Sequence, residues 1–523
     1  MIEDKKVDTC SIKEKINNFL ESKWLIWIII IIGTAARLHQ YLLNHTLWLD
    51  EAFIAINIIK SNFKELLLPL KYYSQSAPVL FLESTKLMTN IWNNSEFAFR
   101  LLPLLAGIGS VIAAYFLGKK FLSKKALIVF LTLIAFSRYV IYYSAELKQY
   151  SIEFLVTILI LIVVINVYNS NYNLKSSIIA LIAGVILIFC SYSSIFIILG
   201  VSSALIIGIF TKKKEIKNKN IIFLILTIIC WLIAFSVNYL FFIKCSPTEV
   251  YNIYWAGLGA FPPFPLRSMA DFLWFPKTFL NLIKDPLGLA FHISNINQIP
   301  YFIIFIQYFV VIIFFITGTI SLIKSKNWFK LSLIYFPAFV LFIASLSGFY
   351  PLYGRLELFI VPLGYLLIAE GVHFLIRMSN KIWKIAGFTL LVILLAFPIF
   401  YEAYNIVKPK VRKETKPAIE YVLKNLKSED KVLIYPSEES VFLYYTNYYF
   451  SESYNFINLE KNYSIENEKY YGDIFASLKN NRIWIVFPFG TSEESDVLKV
   501  MSSFHIKSDE FKSTASIYLF NPN

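Results

Sequence analysis

Apolar residues run along this chain in long blocks, not in the short alternating patterns of a soluble protein. A helix needs about 20 mostly apolar residues to cross roughly 30 Å of hydrocarbon. The first such block is Trp24–Leu43. Others follow near 97–118, 126–142, 151–168, 177–190, 194–210, 221–243, 299–323, 331–347, 356–376 and 385–403. The stretch from Ser177 to Phe210 is too long for one helix, so it is split at Ser191-Tyr192-Ser193-Ser194. The pattern predicts a polytopic α-helical membrane protein with about 11 spans.

From about residue 404 the pattern changes. Lys431–Tyr435 and Arg482–Phe487 read as buried strands and Pro417–Leu426 as a helix, which suggests a small α/β domain. The expected division is a transmembrane domain at 1–403 and a soluble domain at 404–523. Two long loops interrupt the spans. Residues 44–95 hold two amphipathic stretches, near Glu51–Leu70 and Val79–Trp92. Residues 244–298 are rich in Pro, Trp and Phe, as in Tyr254-Trp255-Ala256 and Phe261-Pro262-Pro263, a composition suited to the membrane–water interface. No internal repeat is visible, which counts against a transporter built from two matched halves.

Composition agrees: 57% of the 523 residues are hydrophobic and only 16% charged, with a mean hydropathy of +0.59. The net charge of +14 would elsewhere suggest nucleic acid. Here the basic residues gather in short clusters between apolar blocks, so nucleic-acid binding is set aside. The clusters fall at 1–23, Lys119-Lys120 with Lys124-Lys125, Lys212-Lys213-Lys214, 324–330 and 377–384. The alternate loops 44–95, 143–150, 244–298 and 347–355 are poorer in Lys and Arg for their length. This alternation predicts a multi-pass protein of the cytoplasmic membrane, its N-terminus cytoplasmic and its C-terminal domain external. The polar segment before the first span does not read as a cleavable signal peptide. Four cysteines, Cys10, Cys190, Cys230 and Cys245, form neither a zinc spacing nor a disulfide framework.

Ionisable residues at the predicted outer ends are the candidates for chemistry, because a charge at membrane depth is costly. Asp50 and Glu51 follow the first span. An Asp there could accept a proton from an attacking hydroxyl or hold an acceptor or metal ion; equally, Asp50 could cap the helix that begins beside it. Lys148 lies in Tyr143-Ser144-Ala145-Glu146-Leu147-Lys148-Gln149-Tyr150. It suits an anionic lipid phosphate, or else a structural pair with Glu146 or a snorkelling position. Arg355 opens a late span and can hold phosphate oxygens bidentately, or contact headgroups. Glu96 and Arg100 stand one helical turn apart, the spacing of an i,i+4 pair. His39 and His45 have no second ligand at helical spacing and read as interface histidines.

These residues together resemble the membrane-embedded C-type glycosyltransferases, especially the group of protein O-mannosyltransferases and bacterial aminoarabinose transferases. The resemblance runs through Asp50-Glu51, Gln75-Ser76-Ala77-Pro78, Ser95-Glu96-Phe97-Ala98-Phe99-Arg100-Leu101-Leu102-Pro103, Tyr143 to Tyr150, and Arg355 before Pro362. It covers about 1–400 in organisation and is most specific in the first 150 residues. It implies a polyprenyl-phosphate-linked sugar as donor, used at the outer face with inversion. It implies that the acidic pair Asp50-Glu51 carries the catalytic base, with Asp50 the favoured residue. Lys148, Arg355 and Tyr150 would then hold the donor phosphate, with Glu146, Glu96, Arg100 and Tyr143 in support. The acceptor would be a lipid, glycan or protein. Ser76-Ala77-Pro78 replaces a His-Pro-Pro-like motif common in relatives, and Lys148 stands where many have Arg. Those departures leave acceptor and metal open: the residues establish no cofactor, and a divalent metal ion is compatible with them. Competing readings are a polysaccharide polymerase or ligase using a lipid-linked oligosaccharide, and a lipid or sugar transporter.

Overall fold

The structure is a computed structural model, and it describes residues 23–212, 216–246, 248–291, 300–409, 415–435, 439–449, 456–459, 467–488, 494–512 and 515–522. Cys10, nearly all of the basic cluster at 1–23, and Lys213-Lys214 lie outside these residues.

The first part of the chain is helical: α1 (Lys23–Leu42), α2 (Leu49–Lys60), α3 (Val79–Trp92), α4 (Glu96–Phe121), α5 (Lys124–Ala135), α6 (Arg138–Tyr143), α7 (Tyr150–Asn169), α8 (Leu174–Cys190), α9 (Ser194–Thr211) and α10 (Asn218–Asn238). The helices α11 (Thr248–Gly257) and α12 (Met269–Lys284) lie in the second long loop. They are followed by α13 (Tyr301–Lys324), α14 (Trp328–Leu346), a 3-10 turn at Gly354–Ile360, α15 (Val361–Arg377) and α16 (Lys381–Val407). Nine of the helices among the described residues are long and apolar enough to cross a membrane. Two of the expected spans fall short. The helix α8, at 17 residues, rises only about 26 Å. The block at 126–142 breaks at Phe136-Ser137 into α5 and α6.

The break is accommodated by a cation. Arg37 of α1, fully buried, donates to Ile134 O (2.9 Å) and Ala135 O (3.3 Å), two carbonyls at the end of α5. A broken helix is tolerated at membrane depth only where its freed backbone groups find partners. The most buried spans are α7 and α15, and α10 and α16 lie at the periphery. The helices pack as α9 on α14, α13 on α15 and α4 on α7.

Contacts sort the loops into two ends. At one end, Lys330 donates to Phe121 O, Tyr168 stacks on Phe329 at 3.7 Å, and Lys212 Nζ reaches Tyr168 O and Asn171 Oδ1, each at 3.1 Å. Of these, Lys330, Phe329, Phe121 and Lys212 lie in or beside the Lys/Arg clusters. At the other end the acidic loop after α1, the loop 144–149, Tyr192 and the C-terminal domain meet. Tyr192, its phenol pushed up to about 12 by burial, stays protonated and donates to Ala77 O at 2.8 Å.

The C-terminal domain contains α17 (Thr415–Asn425), β1 (Lys431–Ile434), α18 (Glu439–Leu443), β2 (Phe456–Asn458), α19 (Asn467–Ser477), β3 (Ile483–Pro488), α20 (Glu494–Met501), β4 (His505–Lys512) and β5 (Ala515–Pro522). Its sheet has the order β2-β1-β3-β5-β4, with β1 parallel to β2 and β3, and β5 antiparallel to β3 and β4. The predicted strands and helix of this region appear as β1, β3 and α17.

Candidate functional site

The helix α2 begins at the end of the bundle that holds the C-terminal domain, with Trp48 at the N-cap position. Successive helical residues diverge by about 100°, so Asp50 and Glu51 face different neighbours. Glu51 turns inward and is 1% exposed. Its Oε1 accepts from Arg100 Nε (2.9 Å) and Leu147 N (2.6 Å). Its Oε2 accepts from Arg100 Nη2 (2.7 Å) and Trp48 N (3.3 Å). One expectation is corrected here. Arg100 pairs with Glu51, not with Glu96, because Glu51 offers the guanidinium a bidentate fork. Glu51 has both oxygens occupied by these donors.

Asp50 faces outward and meets Arg355, whose Nη2 lies 2.8 Å from Asp50 Oδ2. The two side chains are 21% and 22% exposed. The helix-cap reading of Asp50 also fails: it sits inside the first turn, and the N–H of Trp48 goes to Glu51. Arg355 follows Gly354, which has φ of +47°, and a Cβ there would lie 3.2 Å from Asp285 Oδ2. Glycine thus permits both the left-handed turn and the close approach of Asp285. The guanidinium sits 5.4 Å from the Trp48 ring centroid and 5.8 Å from that of Tyr150. Tyr150 in turn packs edge-on to Tyr143 at 5.1 Å.

Lys148 is 6% exposed, which excludes a snorkelling role. Nor does it pair with Glu146: its Nζ donates to Gln75 Oε1 at 3.1 Å, while Glu146 accepts from the Tyr142 hydroxyl. Its loop lies tight against α4, since a Cβ on Gly107 would come within 2.4 Å of Ser144 Cβ. Burial pulls the Lys148 ammonium below its ordinary value, and the negative charge of Asp50 offsets this in part. The structure therefore gathers Asp50, Arg355, Lys148, Tyr150 and Tyr143 in one cluster, with Glu51 and Arg100 a layer deeper.

Glu96 belongs elsewhere. Its Oε1 takes Lys416 Nζ at 2.9 Å and the Tyr445 hydroxyl at 3.2 Å, both from the C-terminal domain. The Tyr445 oxygen also accepts from Leu47 N (2.8 Å), and Lys416 N donates to Thr46 Oγ1 (3.3 Å). From the other side Arg100 holds His45 O (2.5 Å) and Thr46 O (3.4 Å). The segment His45–Leu47, which leads into Asp50, is thus gripped between a membrane helix and the C-terminal domain. Sequence reasoning missed Tyr445 and Lys416, which carry no local signal. It also gave no role to Gln75, Trp48, Asp285 or Tyr251, whose hydroxyl donates to Ser74 O beside the cluster.

A narrow cleft beside Lys148 is polar at Gln75, Ser76, Tyr192 and Ser246 and apolar at Leu68 and Phe242. Its volume is about 20 Å³, room for water but not for a sugar. Among the described residues no three His, Cys, Asp or Glu side chains form a metal-ligating group.

No protein-family model matches the chain, and no curated protein matches it in sequence. Solved structures do. The oligosaccharyltransferase of Archaeoglobus fulgidus in its apo form superposes with a TM-score of 0.53 at 11% identity, over 96% of this chain and 75% of that one. The same protein in complex with Zn and sulfate gives 0.51 at 11% identity, over 94% and 73%. ArnT from Cupriavidus metallidurans bound to undecaprenyl phosphate gives 0.46 at 10% identity, over 95% and 98%. At such identities the likeness speaks of architecture alone, and it spans both the helical bundle and the C-terminal domain. The chain has the fold of the membrane-embedded C-type glycosyltransferases.

Proposed function

We propose that this protein is a glycosyltransferase that moves a sugar from a polyprenyl-phosphate-linked donor to an acceptor, with inversion, at the outer face of the cytoplasmic membrane. The observation that carries the reading is the Asp50–Arg355 pair, 2.8 Å apart and partly exposed, with the buried Lys148 in the same cluster. A carboxylate and two cations at the mouth of a helical bundle match the needs of this reaction. The lipid tail of the donor stays in the bilayer while its phosphate reaches Arg355 and Lys148.

The acceptor hydroxyl attacks the anomeric carbon from the face opposite the phosphate. A new bond forms from that carbon to the acceptor oxygen, and the bond to the phosphate oxygen breaks. The hydroxyl proton passes to Asp50, and the leaving lipid phosphate takes the bonding electrons. Arg355 and Lys148 stabilise the charge that grows on it. In the resting arrangement Arg355 holds Asp50. An arriving phosphate exchanges with that carboxylate on the guanidinium and so releases the base.

Orientation rests on the gathering of basic loops at the opposite end. Reporters fused after Lys212 and after Pro409 should appear on opposite sides, the first cytoplasmic; both on one side would refute the arrangement. The function itself is tested with purified protein and polyprenyl-phosphate-linked hexoses and pentoses, following release of lipid phosphate and the mass of the product. Release that needs both an acceptor fraction and Asp50 supports the reading. No release from any such donor, against a membrane extract as acceptor, would defeat it.

A further inference from the structure

A wide opening lies at the far end of the bundle from Asp50. The ends of α13 and α15 and the start of α16 enclose a groove of about 510 Å³, lined by Ser321, Lys324, Ser325, Arg377, Asn380 and Trp383 among others. That volume falls within the usual range of small-ligand sites, roughly 300–1,000 Å³. Three features set it apart from an ordinary loop surface. First, Lys324 and Arg377 form no ion pair among the described residues, whereas Arg100, Arg355 and Lys416 at the other end each meet a carboxylate. Glu370, two turns before Arg377 on α15, accepts from the Ser321 hydroxyl at 2.9 Å.

Second, the N-terminus of α16, 27 residues long, opens at the groove. Asn380 caps it by accepting from Ile382 N at 2.9 Å, and the remaining first-turn N–H groups add partial positive charge. Third, apolar side chains stand exposed on that same turn: Ile382 is 74% exposed, Trp383 55% and Ile385 55%. Ser379 brings a hydroxyl to the same groove, while those of Ser321 and Ser325 donate to Glu370 and to Leu322 O. Cations, a hydroxyl and a helix N-terminus at the end of three spans, bordered by lipid-facing aliphatics, match one chemistry: a phosphodiester bearing acyl chains.

We propose that this groove binds the headgroup of an anionic phospholipid, its phosphate held between Lys324 and Arg377 and its acyl chains lying along Ile382 and Ile385. Trp383 marks the level of the headgroup, as tryptophans do at membrane interfaces. The site stands apart from sugar transfer and does not depend on that reading.

The test uses the full-length protein, stripped of lipid in a neutral detergent. It is titrated with short-chain phosphatidylglycerol, with phosphatidylcholine of the same chain length, and with inorganic phosphate. The thermal midpoint and the mass of bound lipid are followed. Phosphatidylglycerol should raise the midpoint and add one lipid mass, and phosphatidylcholine should do neither. The double variant Lys324→Gln/Arg377→Gln should weaken phosphatidylglycerol binding about tenfold or more. The control Lys326→Gln/Lys384→Gln removes equal charge from outside the groove lining and should keep the affinity. Equal losses in both double variants would show general attraction to a basic surface and overturn the site. An equal response to phosphatidylcholine, or a saturable shift with inorganic phosphate alone, would overturn the assignment to an anionic lipid.

Discussion

The two ends of the bundle handle charge in opposite ways. At the end that carries the C-terminal domain, Arg100 meets Glu51, Arg355 meets Asp50 and Lys416 meets Glu96, each within 2.9 Å. The adjoining cleft is closed down to about 20 Å³. At the other end Lys324 and Arg377 form no ion pair among the described residues, beside an opening of about 510 Å³. Internal pairing closes a surface and gives its groups fixed positions. Unpaired cations leave a surface dependent on what the solvent or bilayer supplies. The first arrangement suits a site that must place a base and two phosphate ligands precisely; the second suits adhesion to an anionic layer.

Within the paired end, depth should separate function from stability. Asp50→Asn is expected to lower the turnover number of transfer by about 10²–10⁴-fold, the usual worth of a general base. Its effect on thermal stability should be slight, since the Asp50–Arg355 pair is partly exposed. Near-normal turnover by purified Asp50→Asn protein would erase the distinction between the two ends. Glu51→Gln should show the reverse pattern. It strips a buried guanidinium of its counter-charge, which costs about 3–5 kcal/mol. The measurement is a thermal or denaturant midpoint, and a stable Glu51→Gln protein with lost turnover would move the base by one residue.

The grip of the C-terminal domain is a smaller lever. Tyr445→Phe keeps the ring but removes the oxygen that serves Leu47 N and Glu96. Leaving such buried groups unsatisfied costs about 1–3 kcal/mol. Turnover should fall while the KM for donor holds, because the displaced segment leads to Asp50 and not to Lys148 or Arg355. A pure KM effect would instead tie the domain to donor binding.

The pH profile offers a gentler probe. In the proposed site Lys148 would hold phosphate only when protonated, and burial lowers its pKa below the ordinary 10.5. Its charge is therefore lost earlier as pH rises, and the KM for donor should climb on the alkaline side sooner than an exposed lysine would allow. Lys148→Arg, charged throughout this range, should postpone that climb; an unchanged profile would remove Lys148 from the phosphate site. The smallest effect belongs to the open end. Lys384→Gln, exposed and outside the groove lining, should alter stability by no more than about 0.5 kcal/mol and leave transfer untouched. A large loss there would show that the ends are coupled.

Reading the residues in order reached further for the bundle than for the site. Apolar blocks such as Tyr150–Asn169 announce themselves because one stretch of about 20 residues suffices to meet the bilayer. The same rule overlooked the break at Phe136-Ser137, because apolar residues continue through it and the partner that permits it, Arg37, lies 97 residues or more away. Asp50, Lys148 and Arg355 stood out because charge at membrane depth is expensive, whatever its partner.

Their partners are a different matter. Local spacing paired Arg100 with Glu96, yet a residue 49 positions away in sequence offers a bidentate contact. Only packing could make that choice, because a buried guanidinium is stabilised by the best-matched carboxylate in space and not by the nearest along the helix. By itself the amino-acid sequence determined that this chain crosses a membrane many times, where its ionisable groups fall along the spans, and that its last stretch is a mixed α/β unit. Tertiary structure alone decided that Glu51 faces inward and Asp50 outward, that Arg355, 305 residues on, meets the latter, and that Tyr445 of the C-terminal domain braces the segment before them. The reason is that burial, and the hydrogen bonds it demands, depend on which helices meet, a property no local pattern carries.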